Sequence, residues 1–230
     1  MVKRLVIIPA RSGSKRIKNK NIRQLLGKPL IQYSIDACIK SRLFDKIHIS
    51  SDSKKILNLG KKNNLKIDFF RPKKLSSNKT PISAVVKYVL KEFEKKGEIF
   101  EEAWLVYATN PLINTKIIKN CSKKFNLMKI KNDQRILIAV SEYNHHIEWA
   151  EKILKNGTLK PLFKKKFKVD SGTLNKYYCD AGMISVYPVK TFLKKGNLSF
   201  TPFVLPNYQS IDINKIEDFK FAEKILKLLN

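Results

Sequence analysis

Short β-branched runs alternating with amphipathic helical stretches leave this chain few folds to choose from. Residues 5–8, Leu5-Val6-Ile7-Ile8, are wholly apolar, as a strand covered on both faces must be, and Pro9 closes the run. Residues 29–41 read as a helix and 46–50 as a second strand. A helix over 53–63 follows, with Ser53 as its N-cap, and then a short strand at 67–70. Pro81 stands at the first turn of a long helix, 82–96, where proline is tolerated. A strand at 104–107, a helix at 115–127 and a strand at 136–140 continue the theme. The pattern predicts an α/β fold, a mostly parallel sheet flanked by helices.

The stretch from about 141 to 178 breaks the pattern. It has no long helical period, but Asn156-Gly157 between Ile153-Leu154 and Thr158-Leu159 is a hairpin signal, and Ser171-Gly172 marks another turn. We read it as an antiparallel inserted segment within one domain spanning 1–230. The parallel theme is then expected to resume at 183–187, with short strands at 204–205 and 211–213 and a last helix from about 215 to 229.

Charge must be weighed next. The chain of 230 residues has 47 Lys+Arg against 19 Asp+Glu, a formal net charge of +28. Such a surplus invites a nucleic-acid partner. However, 40 of the cations are Lys and 7 are Arg, and the lysines are spread along the chain. Reading phosphates and base edges leans on Arg forks, so we expect neither nucleic acid nor membrane as the main partner. Cys38, Cys121 and Cys179 are odd in number and share no ligand-like spacing. With no signal-like start, they point to a reduced, cytoplasmic protein.

The chemistry gathers directly after the first strand, in Arg11-Ser12-Gly13-Ser14-Lys15-Arg16-Ile17-Lys18-Asn19-Lys20-Asn21. In an open α/β sheet such a loop lies where ligands bind, at the carboxyl ends of the strands. Ser12-Gly13-Ser14 can bring backbone N–H groups close to phosphate oxygens. Arg11, Lys15 and Lys20 add charge there. The loop is neither GxxxxGK[ST] nor GxGxxG, so ATPase and dinucleotide readings lack their marks. His145-His146 with Glu142 and Glu148 do not make a metal cluster, because adjacent side chains point apart on a strand or a helix. No nucleophile elbow occurs.

From Ile7 to Ile22 the sequence resembles the signature loop of the acylneuraminate cytidylyltransferases, which join a nonulosonic acid to CMP. The similarity continues through Gly27-Lys28-Pro29, Ser50-Ser51-Asp52-Ser53, Arg71-Pro72, Tyr107-Ala108-Thr109-Asn110-Pro111, Tyr178-Cys179-Asp180-Ala181-Gly182 and Ile211-Asp212-Ile213, in the family's order. The resemblance implies a Rossmann-like nucleotidyltransferase fold, with CTP and an acidic nine-carbon sugar as substrates. It also implies Mg²⁺ or another divalent cation, and a homodimer supported by the 141–178 segment.

Carried over residue by residue, it gives Arg11 and Lys20 the task of stabilising the triphosphate and the leaving pyrophosphate. Ser12, Gly13, Ser14, Asn21, Arg71 and Thr80 would bind CTP, with Ser83 nearby. Tyr107, Thr109 and Asp180 would meet the sugar, and Asp212 and Asn214 the metal. Plainer alternatives stand beside three of these: Arg71 as a structural arginine, Thr80 as an N-cap, and Asp212 as the cap of the last helix.

Two departures separate the chain from the family pattern. Asp212-Ile213-Asn214 replaces the usual Asp-x-Asp, and Val169-Asp170-Ser171-Gly172-Thr173 lacks the Arg and Gln found there in many relatives. Within the family, Ser14-Lys15-Arg16-Ile17 and Tyr107-Ala108-Thr109 are most like the pseudaminic acid enzymes, with legionaminic and sialic acid enzymes as alternatives. A non-catalytic nucleotide- or nucleic-acid-binding protein of the same fold is the rival from another class.

Overall fold

Leu5, Val6, Ile7 and Ile8 are all fully buried, and they divide alternately between two cores. Side chains on a strand point to opposite faces, so this division means that helices cover both sides of the sheet. The computed structural model describes residues 2–167, 169–194 and 197–229. Ten strands occur among them: β1 (Arg4–Pro9), β2 (Gln24–Leu25), β3 (Lys28–Pro29), β4 (Lys46–Ser50), β5 (Glu102–Val106), β6 (Ile136–Glu142), β7 (Glu151–Ile153), β8 (Leu159–Pro161), β9 (Tyr178–Pro188) and β10 (Phe200–Leu205). The helices are α1 (Leu30–Ser41), α2 (Lys54–Lys62), α3 (Ile82–Glu94), α4 (Thr115–Ile130), α5 (Val189–Leu193) and α6 (Ile216–Leu229).

Six strands form the central sheet in the order β10-β6-β9-β5-β1-β4. Val6, Ile8, Trp104 and Val106 pack on one face with Ile31 and Ile35 of α1, Ile56 and Leu57 of α2, and Ile118 and Phe125 of α4. Leu5, Ile7, Ala103 and Leu105 pack on the other with Val86, Val89 and Phe93 of α3 and Phe192 of α5. A third, smaller core joins Phe219, Ala222 and Leu226 of α6 to Ile17, Leu25 and Leu30, which pins the basic loop after β1 against the last helix.

Four expectations need correction. The 183–187 run belongs to β9, which pairs antiparallel with both β5 and β6. No crossover helix separates β6 from β9; the chain between them forms the β7–β8 hairpin and short 3₁₀ turns and re-enters the sheet from the end at which β6 left it. Residues 67–70 form no strand. They run beside the edge strand β4, where Phe69 stacks on His48 and Phe93 instead of joining the ladder. Residues 211–213 form none either: Ile213 is buried and its N–H donates to the Thr109 carbonyl, one bond and not a ladder. Ser53 stands at the N-cap of α2, but its side chain makes no capping hydrogen bond.

The 141–178 segment does contain the expected hairpin. β7 and β8 pair antiparallel around Gly157 at φ 82°, a left-handed position suited to glycine. Ser171–Thr173 forms a single 3₁₀ turn capped by Asp170. All three cysteines are free, Cys38 and Cys121 buried. Among the described residues no helix is long and apolar enough to cross a membrane.

His48 shows what burial on β4 entails. It is 1% exposed, lies against Phe69 and Phe93, and has no hydrogen-bond partner on either ring nitrogen. Burial first, then the charges of Arg71, Lys46 and Lys96, pull its pKa down to about 3. The unfolded chain takes up a proton near pH 6.5, so the folded state loses stability as pH falls below that value. His48→Leu should flatten the pH dependence of the unfolding free energy between pH 6.5 and 5, where the wild type should lose up to about 1.4 kcal/mol per pH unit from this group. Equal slopes in urea titrations of the two proteins would refute that assignment.

Candidate active site

β1, β4 and β5 are parallel, so their carboxyl ends share one edge of the sheet. The chain leaves β1 for β4 on one side and later crosses back to β5 on the other, the arrangement that opens a crevice at the strand ends. A cleft of about 220 Å³ lies there. Arg11, Ser14, Lys20, Asn21, Arg71, Thr80, Tyr107, Thr109 and Asn214 line it, so the structure brings together most of the residues singled out above. Ser12, Gly13, Asp180 and Asp212 are not among its walls, and Ser83 is not either.

Local hydrogen bonds set the loop's shape. The Arg11 guanidinium donates to the Gly13 carbonyl at 2.9 Å, and Asn21 Nδ2 donates to the Arg11 carbonyl at 3.0 Å. Asn21 lines the cleft, is 5% exposed, and its buried Oδ1 has no partner among the described residues. Ser12 is held away: its N–H and its hydroxyl both donate to Asp52, at 2.8 Å each. Lys20 reaches the Ile213 carbonyl with its ammonium. Burial first, then Arg16 and Arg11, lower the Lys20 pKa, while the charge of Asp212 opposes them. The cation is thus poised among groups of both signs.

Arg71 has the structural place expected of it and lines the cleft as well. It is 5% exposed and holds the end of β4, donating from Nε to Ser50 Oγ at 3.0 Å and from Nη2 to the Ser50 carbonyl, yet it also lines the cleft. Burial lowers its pKa to about 10, against the favourable charge of Asp52, so it stays cationic at neutral pH. Thr80 is not a helix cap, since α3 has Pro81 at that position. Its hydroxyl bonds that of Ser77 at 2.9 Å.

On the far side of the cleft the register of β9 jumps, with Ile138 facing Ser185 but Val140 facing Asp180. Extra residues in one strand bend it and re-aim its side chains. Gly182 sits in that bend at φ 56°, and its N–H donates to Asp180 Oδ1 at 2.8 Å. A Cβ there would lie 3.2 Å from Asp212 Cγ. Asp180 and Asp212 therefore flank one glycine, which no larger residue could replace without displacing Asp212. Burial first, and then the Asp212 charge, raise the Asp180 pKa, against the Gly182 N–H bond, which lowers it. The Tyr107 phenol is also raised, chiefly by burial and then by Tyr187, Asp180 and Asp212. Asp212 does not cap α6: Asp218 takes that task, accepting the N–H groups of Asn214 and Lys215 at 2.8 and 2.9 Å.

Among the described residues no group of three or more His, Cys, Asp or Glu is placed to hold a metal ion. Mg²⁺ asks for less, one or two carboxylates with the remaining positions filled by water and phosphate oxygens. The Asp212 carboxylate cradled on Gly182, with Asp180 beside it, fits that demand. Asn214 presents a different face: its Nδ2 donates to Asp212 Oδ2 at 2.6 Å, and its Oδ1 accepts from Arg16 at 2.7 Å. Sequence reasoning quoted Gly182, Asp52 and Arg16 without giving them a task. A glycine next to a motif carboxylate was the available signal for the first, whereas the other two needed contacts that are remote in sequence.

The cytidylyltransferase family model matches residues 5–178. A pseudaminic acid cytidylyltransferase of Campylobacter jejuni is 36% identical over 231 residues, covering 99% of this chain and 97% of that protein. A CMP-N,N'-diacetyllegionaminic acid synthase of Legionella pneumophila is 28% identical, covering 97% of this chain and 96% of its own length. In fold, the chain is similar to a CMP:2-keto-3-deoxy-manno-octonic acid synthetase solved in complex with CTP, with a TM-score of 0.70 at 10% identity, over 99% of this chain and 100% of that one. The basic loop, the strand-end cleft and the matched length agree: this chain belongs to the cytidylyltransferase family.

Proposed function

We propose that the protein activates pseudaminic acid with CTP, giving the CMP-sugar and pyrophosphate. The observation that carries this is a basic loop closing on a strand-end cleft, in a chain 36% identical over nearly its whole length to pseudaminic acid cytidylyltransferases. A hydroxyl of the sugar acid attacks the α-phosphorus, the bond to the β-phosphate oxygen breaks, and pyrophosphate and a proton leave. Such a transfer needs in-line positioning and neutralised charge more than covalent help from the protein.

Arg11 and Lys20 supply positive charge to the triphosphate and to the departing pyrophosphate. Ser14 and Asn21 orient phosphate and ribose oxygens, and Arg71 and Thr80 border the nucleotide. Ser12 and Gly13 act indirectly by shaping the loop, since Asp52 occupies the Ser12 side chain. Tyr107 and Thr109, both in the cleft lining, face the acceptor, and Asp180 contributes from outside the lining. Asp212, aided by Asp180, would hold Mg²⁺, which when bound screens charge on the phosphates. The exposed Ile153, Leu159, Leu162 and Phe163 of the 141–178 segment support its role as a homodimer contact.

Comparison of kcat/KM across pseudaminic, legionaminic and sialic acids with CTP tests the acceptor. Pseudaminic acid should give the highest value by about 10-fold or more, the discrimination expected where buried polar groups read a substrate's substituents. A higher value with either of the others would overturn the assignment.

A further inference from the structure

The 214 position, where the chain departs from its family's usual Asp-x-Asp, has a geometry of its own. One amide joins a cation to an anion: Asn214 Oδ1 accepts from Arg16 Nη2 at 2.7 Å, and Asn214 Nδ2 donates to Asp212 Oδ2 at 2.6 Å. Arg16 and Asn214 lie 198 positions apart, so the contact ties the basic loop to the segment between β10 and α6. An amide offers an acceptor and a donor together, which a carboxylate cannot do. Aspartate at 214 could accept from Arg16 but would set a second negative oxygen against Asp212. With the amide oxygen committed to Arg16, Asn214 is poorly placed to serve a metal.

Arg16 is itself unassigned. It lines the cleft beside Arg11, Lys20 and Arg71, and among the described residues it makes no ion pair with a carboxylate. A guanidinium has five N–H donors, and Asn214 engages one nitrogen, leaving others for an anion. Arg16 bonds Asn214 and Lys20 bonds the carbonyl of the preceding Ile213, so the two cations meet adjacent residues of one segment, as neighbours on one polyanion would. The loop also lacks an acid of its own: residues 11–21 contain no Asp or Glu.

We propose that Arg16 binds the triphosphate of the nucleotide and that Asn214 is a positioning residue that presents it, latching the loop to Asp212. The proposal rests on the reading of this cleft as a CTP site. A protein-borne cation then takes over part of the charge neutralisation at the phosphates.

Equilibrium binding of CTP and of CMP to the full chain, without acceptor and at several Mg²⁺ concentrations, tests this with Arg16→Ala, Asn214→Ala and the double variant. Arg16→Ala should weaken CTP by about 10-fold or more, the effect of losing a charge-assisted contact, and leave CMP nearly unchanged because CMP lacks the β- and γ-phosphates. Asn214→Ala should weaken CTP less, without raising the Mg²⁺ needed for half-saturation. The double variant should bind CTP as Arg16→Ala does, since a latch has nothing left to hold. Additive losses, an equal loss for CMP, or a raised Mg²⁺ requirement in Asn214→Ala would each overturn the proposal. Failure of the wild type to bind CTP would instead overturn the reading of the cleft on which it rests.

Discussion

Asp212→Ala should lower turnover by on the order of 10³-fold at any practical Mg²⁺ concentration, the scale of losing a metal's charge stabilisation at a phosphoryl centre. The fold should be almost unaffected. Asp218, not Asp212, satisfies the N–H groups ahead of α6, and Asp212 accepts a side-chain hydrogen bond from Asn214 alone among the described residues. If Asp212 were merely a helix cap, its loss would cost about 1 kcal/mol of stability and leave activity in the folded fraction. Steady-state kinetics with a Mg²⁺ titration, beside thermal unfolding of the same variant, separate the two. A destabilised but fully active Asp212→Ala would end the metal assignment.

Arg11→Ala and Lys20→Met should each reduce kcat/KM for CTP by on the order of 10²-fold, comparable to removing one preorganised electrostatic donor. Methionine at 20 keeps most of the aliphatic stem while removing the ammonium that donates to the Ile213 carbonyl. Both residues belong to a loop outside the two main cores, so far-ultraviolet circular dichroism should match the wild type. Lys20 is the more instructive of the two. Burial and two arginines already disfavour its charge, and a bound triphosphate would reverse that balance. Near-wild-type kinetics for both variants would contradict the loop's proposed task.

Residues whose neighbours are near in sequence, or whose burial is complete, were legible without coordinates. The apolar runs of β1, β5 and β6 and the proline-led α3 announced themselves because two-sided burial and helix starts leave local signatures. The hairpin of β2 and β3 went unread although its turn is local: Leu26 and Gly27 take φ 47° and 75°, a pair of left-handed residues that closes a two-residue hairpin. The direction of β9 was not legible, since a strand pattern is the same whichever way it runs. The irregular 67–70 and 211–213 stretches were misread for a related reason. Ile213 is buried and Ile67, Phe69 and Ile211 are half-buried, and a short apolar run looks the same in sequence whether or not its backbone joins a ladder.

The site divided along the same line. Arg11 and Lys20 could be singled out because one basic loop carries them, and Asn21 through the family resemblance; the structure lines the cleft with each. What the sequence could not convey was the wiring across the fold: Asp52 holding Ser12, Arg71 gripping Ser50, and Asn214 standing between Arg16 and Asp212. These contacts depend on the meeting of β1, β4 and the segment after β10, which pairing and packing decide. The Asp-Ile-Asn departure read as a weakened metal motif, whereas its geometry is that of a bridge.

Pyrophosphate release tests the central claim most directly. With wild-type protein, CTP and pseudaminic acid, release should be rapid and should require both substrates and a divalent cation. ATP or GTP in place of CTP should support at most about a hundredth of the rate, the discrimination expected of a site that reads a base by its hydrogen bonds. Equal turnover with ATP or GTP, or none with any nonulosonic acid, would contradict the account.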